Sequence, residues 1–82
     1  MIHPIEFRRQ VFADIDLPDD KFSQRVIIKE GTRLAADIKP YVTESTDGPV
    51  EVADLVFEDG SVARAVRYSA FQFVEGSKRR RQ

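Results

Sequence analysis

Residues 50–74 read VEVADLVFEDGSVARAVRYSAFQFV, with apolar and polar positions alternating on either side of Asp59-Gly60. Alternation with a period of two marks a half-buried strand. Asp-Gly favours a two-residue type I′ turn, in which both central residues take positive φ. The segment therefore predicts a hairpin with Asp59 and Gly60 as its loop. In that register Phe57 faces Val62, Leu55 faces Arg64, Ala53 faces Val66 and Glu51 faces Tyr68, so one face is mostly apolar. The other face carries Val50, Val52, Asp54, Val56, Ala63, Ala65, Arg67 and Ser69, with Asp54 diagonal to Arg67 as a candidate ion pair. A sheet with one apolar and one mixed face needs a cover on the first, which is how a small barrel or sandwich is built.

The same alternation runs through residues 5–17, where the odd positions are Ile, Phe, Arg, Val, Ala, Ile and Leu and the even ones Glu, Arg, Gln, Phe, Asp and Asp. Arg9 and Phe12 break it. A bulge near Arg9, or one long strand passing from one sheet to another, accounts for both. Arg9 reads as an aliphatic stem on the core with its guanidinium at the rim. Pro18-Asp19-Asp20 is a turn, because Pro presets φ at its second position. Residues 22–29 resume as a strand whose Val26-Ile27-Ile28 run predicts a central position.

Glu30-Gly31-Thr32 makes a further turn, which would set Ile28 against Leu34, Val26 against Ala36 and Gln24 against Ile38. Residues 33–39 fit two patterns. Arg-Leu-Ala-Ala-Asp is helix-prone, with Thr32 as a cap and Pro40 as a stop, yet Leu34, Ala36, Ile38 and Val42 also alternate. The words EGTRLAADIKP resemble a hairpin segment near the start of the X-Pro dipeptidyl-peptidase-like and cocaine-esterase-like α/β-hydrolases, and the resemblance implies a strand after a Gly turn. It spans about eleven residues and implies no activity, since the Gly-x-Ser-x-Gly nucleophile elbow of that family is absent. Residues 33–39 are therefore expected to be extended.

Residues 43–49, TESTDGP, read as a polar loop and as the most mobile internal segment. Ser69-Ala70 interrupts the alternation, and a bend there would let the strand around Phe71-Gln72-Phe73 close onto the first strand. These elements predict a mainly β fold, an antiparallel meander of about five strands curled into a small SH3-like or OB-like barrel. The alternative is α+β, with a short helix at 32–39. Residues 1–76 are expected to form a single small β domain and residues 77–82 a disordered basic tail.

Composition narrows the chemistry. A chain of 82 residues buries about 60 to 65% of its unfolded surface, so its stability is expected to be modest, on the order of 5 kcal/mol. There is no cysteine, hence no disulfide or thiolate metal site, and a cytoplasmic location is the simplest reading. No apolar run is long enough for a membrane helix, and Glu6, Arg8 and Arg9 stand where a signal peptide would be apolar. An unprocessed N-terminus is therefore expected. Residues 1–77 hold nine Lys and Arg against fourteen Asp and Glu, whereas Lys78, Arg79, Arg80 and Arg81 are all cationic. An acidic body repels phosphate, so any affinity for nucleic acid would have to come from the tail.

His3 is the lone histidine and reads as a surface residue. Asp14, Asp16, Asp19 and Asp20 cluster four carboxylates but fail the calcium-loop spacing, because Asp19 stands where Gly is required and Arg25 where Glu is required. No motif of catalysis and no phosphate-binding glycine loop is present, so neither an enzyme nor a cofactor or metal is expected. Lys78, Arg79, Arg80 and Arg81 are the candidate binding residues; Tyr68, Phe71 and Phe73 could serve as stacking platforms but are expected in the core, because Phe71 and Phe73 share one side in a chain short of large apolar groups. The expected function is a non-catalytic binding or adaptor module contacting another protein or itself, through a sheet edge or residues 43–49. The alternative is an accessory nucleic-acid binder using the tail.

Overall fold

Seven strands form one antiparallel sheet in the computed structural model, which describes residues 1–19 and 21–74. They are β1 (Ile2–Phe7), β2 (Val11–Asp16), β3 (Gln24–Ile28), β4 (Arg33–Ser45), β5 (Gly48–Val56), β6 (Val62–Arg67) and β7 (Phe71–Phe73), and a 3₁₀ turn at Tyr68–Ala70 precedes β7. Their order is β3-β2-β6-β5-β4-β1-β7. The sheet curls into a half-barrel, and Ile5, Phe7 and Leu55 are fully buried on its inner face. The mainly β, antiparallel, curled architecture expected from the alternation is what the chain adopts. There are seven strands rather than about five, because residues 5–17 divide into two and the last run separates from β6.

The division at Arg8-Arg9-Gln10 shapes the whole sheet. β1 pairs with β4 and β7, while β2 pairs with β3 and β6, so one continuous stretch of alternation serves two ends of the sheet. The stretch is thus neither a bulged strand nor one long strand crossing between two sheets: it breaks at residues 8–10 into two strands of a single sheet. Arg9 is exposed instead of lying on the core, because the bend takes it out of the period; its Nη2 donates to Ser69 Oγ at 2.9 Å. The Arg8 N–H donates to the Ala70 carbonyl at 2.8 Å, tying the bend to the 3₁₀ turn. That turn acts as the bend expected at Ser69-Ala70, and β7 does close onto β1, with Phe7 opposite Phe71.

Residues 33–39 are extended, as expected, but they do not pair with β3. β4 lies between β1 and β5, and β3 stands at the edge of the sheet instead of its centre. The Gly31 turn explains the difference. Gly31, with φ +86°, donates its N–H to the Phe7 carbonyl at 2.8 Å, and the Phe7 N–H donates to the Thr32 carbonyl at 2.9 Å. The end of β1 thus captures the chain just after the turn and draws β4 to itself. Pro40, read as a possible stop, sits inside β4 opposite Ala53 and beyond the part of β4 that pairs with β1, where the strand is paired on one side and a residue without an N–H is tolerated.

The main hairpin forms, with a different turn and register. Asp59 keeps a negative φ while Gly60 has φ +91°, and the Gly60 N–H donates to the Phe57 carbonyl at 3.0 Å. This is a three-residue loop with glycine in the left-handed position, not a type I′ turn. Near the turn the register therefore slips by one, to Val56 opposite Val62 and Leu55 opposite Ala63. Ala53 still faces Val66, because a bulge restores the count: Arg64 and Ala65 together face Asp54, and Ala65 has φ +54°. The bulge lets Ala63 and Val66, three residues apart, both point into the core. It also sends Arg64 to the outer face, and Asp54 bonds elsewhere than to Arg67.

Residues 43–49 are not a loop. Ser45 pairs with Gly48 across a tight turn at Thr46-Asp47, and Gly48 has φ +104°. Ser45 Oγ donates to the Gly48 carbonyl at 2.8 Å and accepts the Asp47 N–H at 3.2 Å. The polar composition belongs to a second Xaa-Asp-Gly hairpin turn.

Candidate functional site

The outer face of the half-barrel is built from cross-strand neighbours of opposite charge. Arg25 on β3 faces Asp14 on β2, and Asp14 faces Arg64 on β6. Arg64 shares the bulge opposite Asp54 on β5, and Asp54 faces Lys39 on β4. The row thus alternates in sign over five strands. Directly opposed unlike charges each stabilise a sheet by roughly 0.2–1 kcal/mol, so the row helps to hold the register.

Each carboxylate along this row has partners. Arg25 Nε donates to Asp14 at 3.1 Å. Asp16 accepts from Ser23 Oγ at 2.5 Å and from Arg64 Nη1 at 2.6 Å, and these two hydrogen bonds hold its carboxyl below the ordinary value against a smaller effect of burial. Arg64 is pushed up in turn, first by its bond to Asp16 and then by the charges of Asp16 and Asp54. Asp54 Oδ1 accepts both the Tyr41 hydroxyl and the Ala65 N–H at 2.9 Å, which raises the Tyr41 phenol and clamps the bulge. The suggested carboxylate cluster is thereby divided: Asp14 and Asp16 belong to different arginines, and Asp20 lies outside the described residues. Among the described residues, no three of His, Cys, Asp and Glu stand together as a metal ion would need.

The candidate binding residues Lys78, Arg79, Arg80 and Arg81 lie outside the described residues. The three aromatics named with them do not form one platform. Phe71 is 4% exposed and packs in the core, which leaves no ring face for a base. Tyr68 is half-buried against it, ring centroids 5.4 Å apart. Phe73, expected in the core with Phe71, is 44% exposed at the end of β7, where it meets half-buried His3 edge-on at 5.5 Å. Beside it, a groove of about 380 Å³ is lined by Glu6, Arg33, Gln72, Phe73 and Val74, and Arg33 is bound to Glu6 at 2.9 Å.

Exposed apolar side chains also meet in register on β2 and β3. Phe12 and Ile27 face each other across β2 and β3, and they are 62% and 55% exposed. β3 pairs with β2 alone among the described residues, so its other side is an open edge. Phe12 already stood out as the break in the alternation, but the exposure of Ile27 had no such sign. A β-branched run such as Val26-Ile27-Ile28 looks the same in the sequence at an edge or a centre. The chain matches no protein-family model, no curated protein and no solved structure. No helix among the described residues is long and apolar enough to cross a membrane.

Proposed function

We propose that this chain is a non-catalytic binding module that takes a partner protein, or a second copy of itself, at the corner formed by β2 and β3. The observation that supports it is the Phe12–Ile27 pair, exposed and in register beside the open edge of β3. Single exposed apolar residues are ordinary. Two that stack across strands next to a strand edge without a neighbour among the described residues combine the two components of strand addition. The carboxylates of the outer face are taken up by arginine, tyrosine and backbone partners, which suits a scaffold rather than acid–base chemistry. Of the two contact regions expected from the sequence, the sheet edge is preferred, since residues 43–49 are closed into a hairpin.

A photoreactive amino acid placed at position 12 or 27 should cross-link one and the same species in cells, and the same group at position 42 on β4 should not. Phe12→Ser combined with Ile27→Thr should abolish the interaction while preserving the fold. Equal cross-linking from positions 12 and 42, or an interaction untouched by the double substitution, would overturn the reading.

A further inference from the structure

We infer that the open side of β3 is a docking edge for an acidic, extended segment of another protein, with carboxylates beside Arg25 and Lys29 and an apolar side chain beside Ile27; this rests on the binding corner proposed above and specifies its occupant. The row of alternating charge reaches the edge on a cation, since it runs Lys39, Asp54, Arg64, Asp14, Arg25 from β4 to β3. A further strand that continues the alternation brings a carboxylate. Arg25 is able to receive it: its side chain is 68% exposed, and only Nε and Nη2 are directed at Asp14, at 3.1 and 3.5 Å. A guanidinium has five N–H donors, so three remain. Lys29, two residues past Ile27, is exposed as well.

The same geometry disfavours a second copy of this chain. In an antiparallel pair of β3 strands, side chains of one face must oppose each other. Arg25 then meets Arg25, Ile27 or Lys29 of the other copy, depending on register, and no carboxylate stands on that face of β3. Registers that set Arg25 against Arg25 or Lys29 oppose like charges, which is destabilising, and the register that sets it against Ile27 brings it no carboxylate. The basic residues Lys78, Arg79, Arg80 and Arg81 of another copy have the wrong sign too. The occupant is therefore a strand with acidic, apolar and acidic side chains at alternate positions, which puts its apolar residue beside the Phe12–Ile27 pair.

The test uses the full chain, ¹⁵N-labelled, with two synthetic peptides: Thr-Glu-Thr-Val-Thr-Glu-Thr and its counterpart with Lys for Glu. The acidic peptide should shift the amide signals of Gln24–Ile28, bind at least about tenfold more tightly than the basic one, and weaken as salt screens the charges. Lys29→Glu, which leaves the Arg25–Asp14 pair intact, should erase most of that preference. Arg25→Glu with Lys29→Glu should reverse it. Equal binding of both peptides, a preference unchanged by Lys29→Glu, or dimerisation of the free chain through β3 would overturn the acidic partner. If the preference is unchanged while Phe12→Ser with Ile27→Thr abolishes binding, the corner stands and only its occupant is wrong. If peptide shifts map away from β2 and β3, the corner itself falls.

Discussion

Ala65 is the single non-glycine residue with positive φ among those described, and its place in the bulge shows what holds it there. An L-residue in the left-handed region is strained by about 1–2 kcal/mol, because Cβ crowds the following carbonyl oxygen. The Asp54 carboxylate offsets this by accepting the Ala65 N–H at 2.9 Å. Ala65→Gly should therefore stabilise the protein by about 0.5–1 kcal/mol, seen as a higher urea midpoint. Asp54→Ala strands both the Ala65 N–H and the Tyr41 hydroxyl and should destabilise it by about 1–2 kcal/mol. A neutral Asp54→Ala would show that the bulge is held by packing alone. Gly60 gives the opposite case: an added Cβ meets only Pro18, at an ordinary 3.6 Å, so the obstacle is its φ of +91°. Gly60→Val should destabilise by about 1 kcal/mol or more, again read from the urea midpoint.

Charge complementarity acts on whole strands. Arg64 on β6 lies among Asp14, Asp16 and Asp54, so Arg64→Glu should lower the melting midpoint more than Arg25→Glu, which among the described residues of the row faces Asp14 alone. Protonation should have a related effect. Asp16 is held low by Ser23 and Arg64, and Asp59 by the hydroxyl and N–H of Ser61. Asp37 feels burial pushing it up most, but hydrogen bonds and charges from the amino terminus and Lys39 together bring it below its ordinary value. A carboxyl depressed on folding stabilises the native state above its unfolded value and loses that contribution as pH falls through its folded value. The urea midpoint should thus be level above about pH 5 and decline below about pH 4, more shallowly in Asp16→Asn. A midpoint that stays level down to pH 2 or so would show that these hydrogen bonds contribute nothing to stability.

The binding corner and the basic tail make different predictions for the molecule as a whole. With an acidic body, full-length protein should not bind labelled single-stranded RNA at about 150 mM salt, where screening limits weak contacts. If the tail does bind nucleic acid, affinity should vanish when residues 78–82 are removed, and log K should fall with log[salt] at a slope of about −3 to −4. Tight, tail-dependent binding in that titration would favour the nucleic-acid reading over the partner-protein one. Loss of the tail should leave capture at the β2–β3 corner unchanged.

Local pattern decided the elements of this protein. Period-two alternation marks most of the strand runs, a β-branched run marks β3, Asp-Gly marks a turn, and Leu34, Ala36 and Ile38 made residues 33–39 extended despite their helix propensity. The second Asp-Gly, at 47–48, carried the same information, but its polar flanks read as a loop because alternation there is weak. The turn to β7 was legible for a similar reason, since Ser69-Ala70 breaks the period where the chain bends. Only the tertiary structure decided which strands are neighbours. Alternation says which side of a strand is apolar and nothing about its partner, so β4 could join β1 instead of β3 once the Gly31 turn bonded to Phe7. Registers and faces beyond a bulge were hidden likewise: one extra residue at Ala65 reverses the period, and Ala63 turns inward while Arg64 turns out. The candidate corner depends on this order, because leaving β3 at the edge sets the outward-facing Phe12–Ile27 pair beside an open strand.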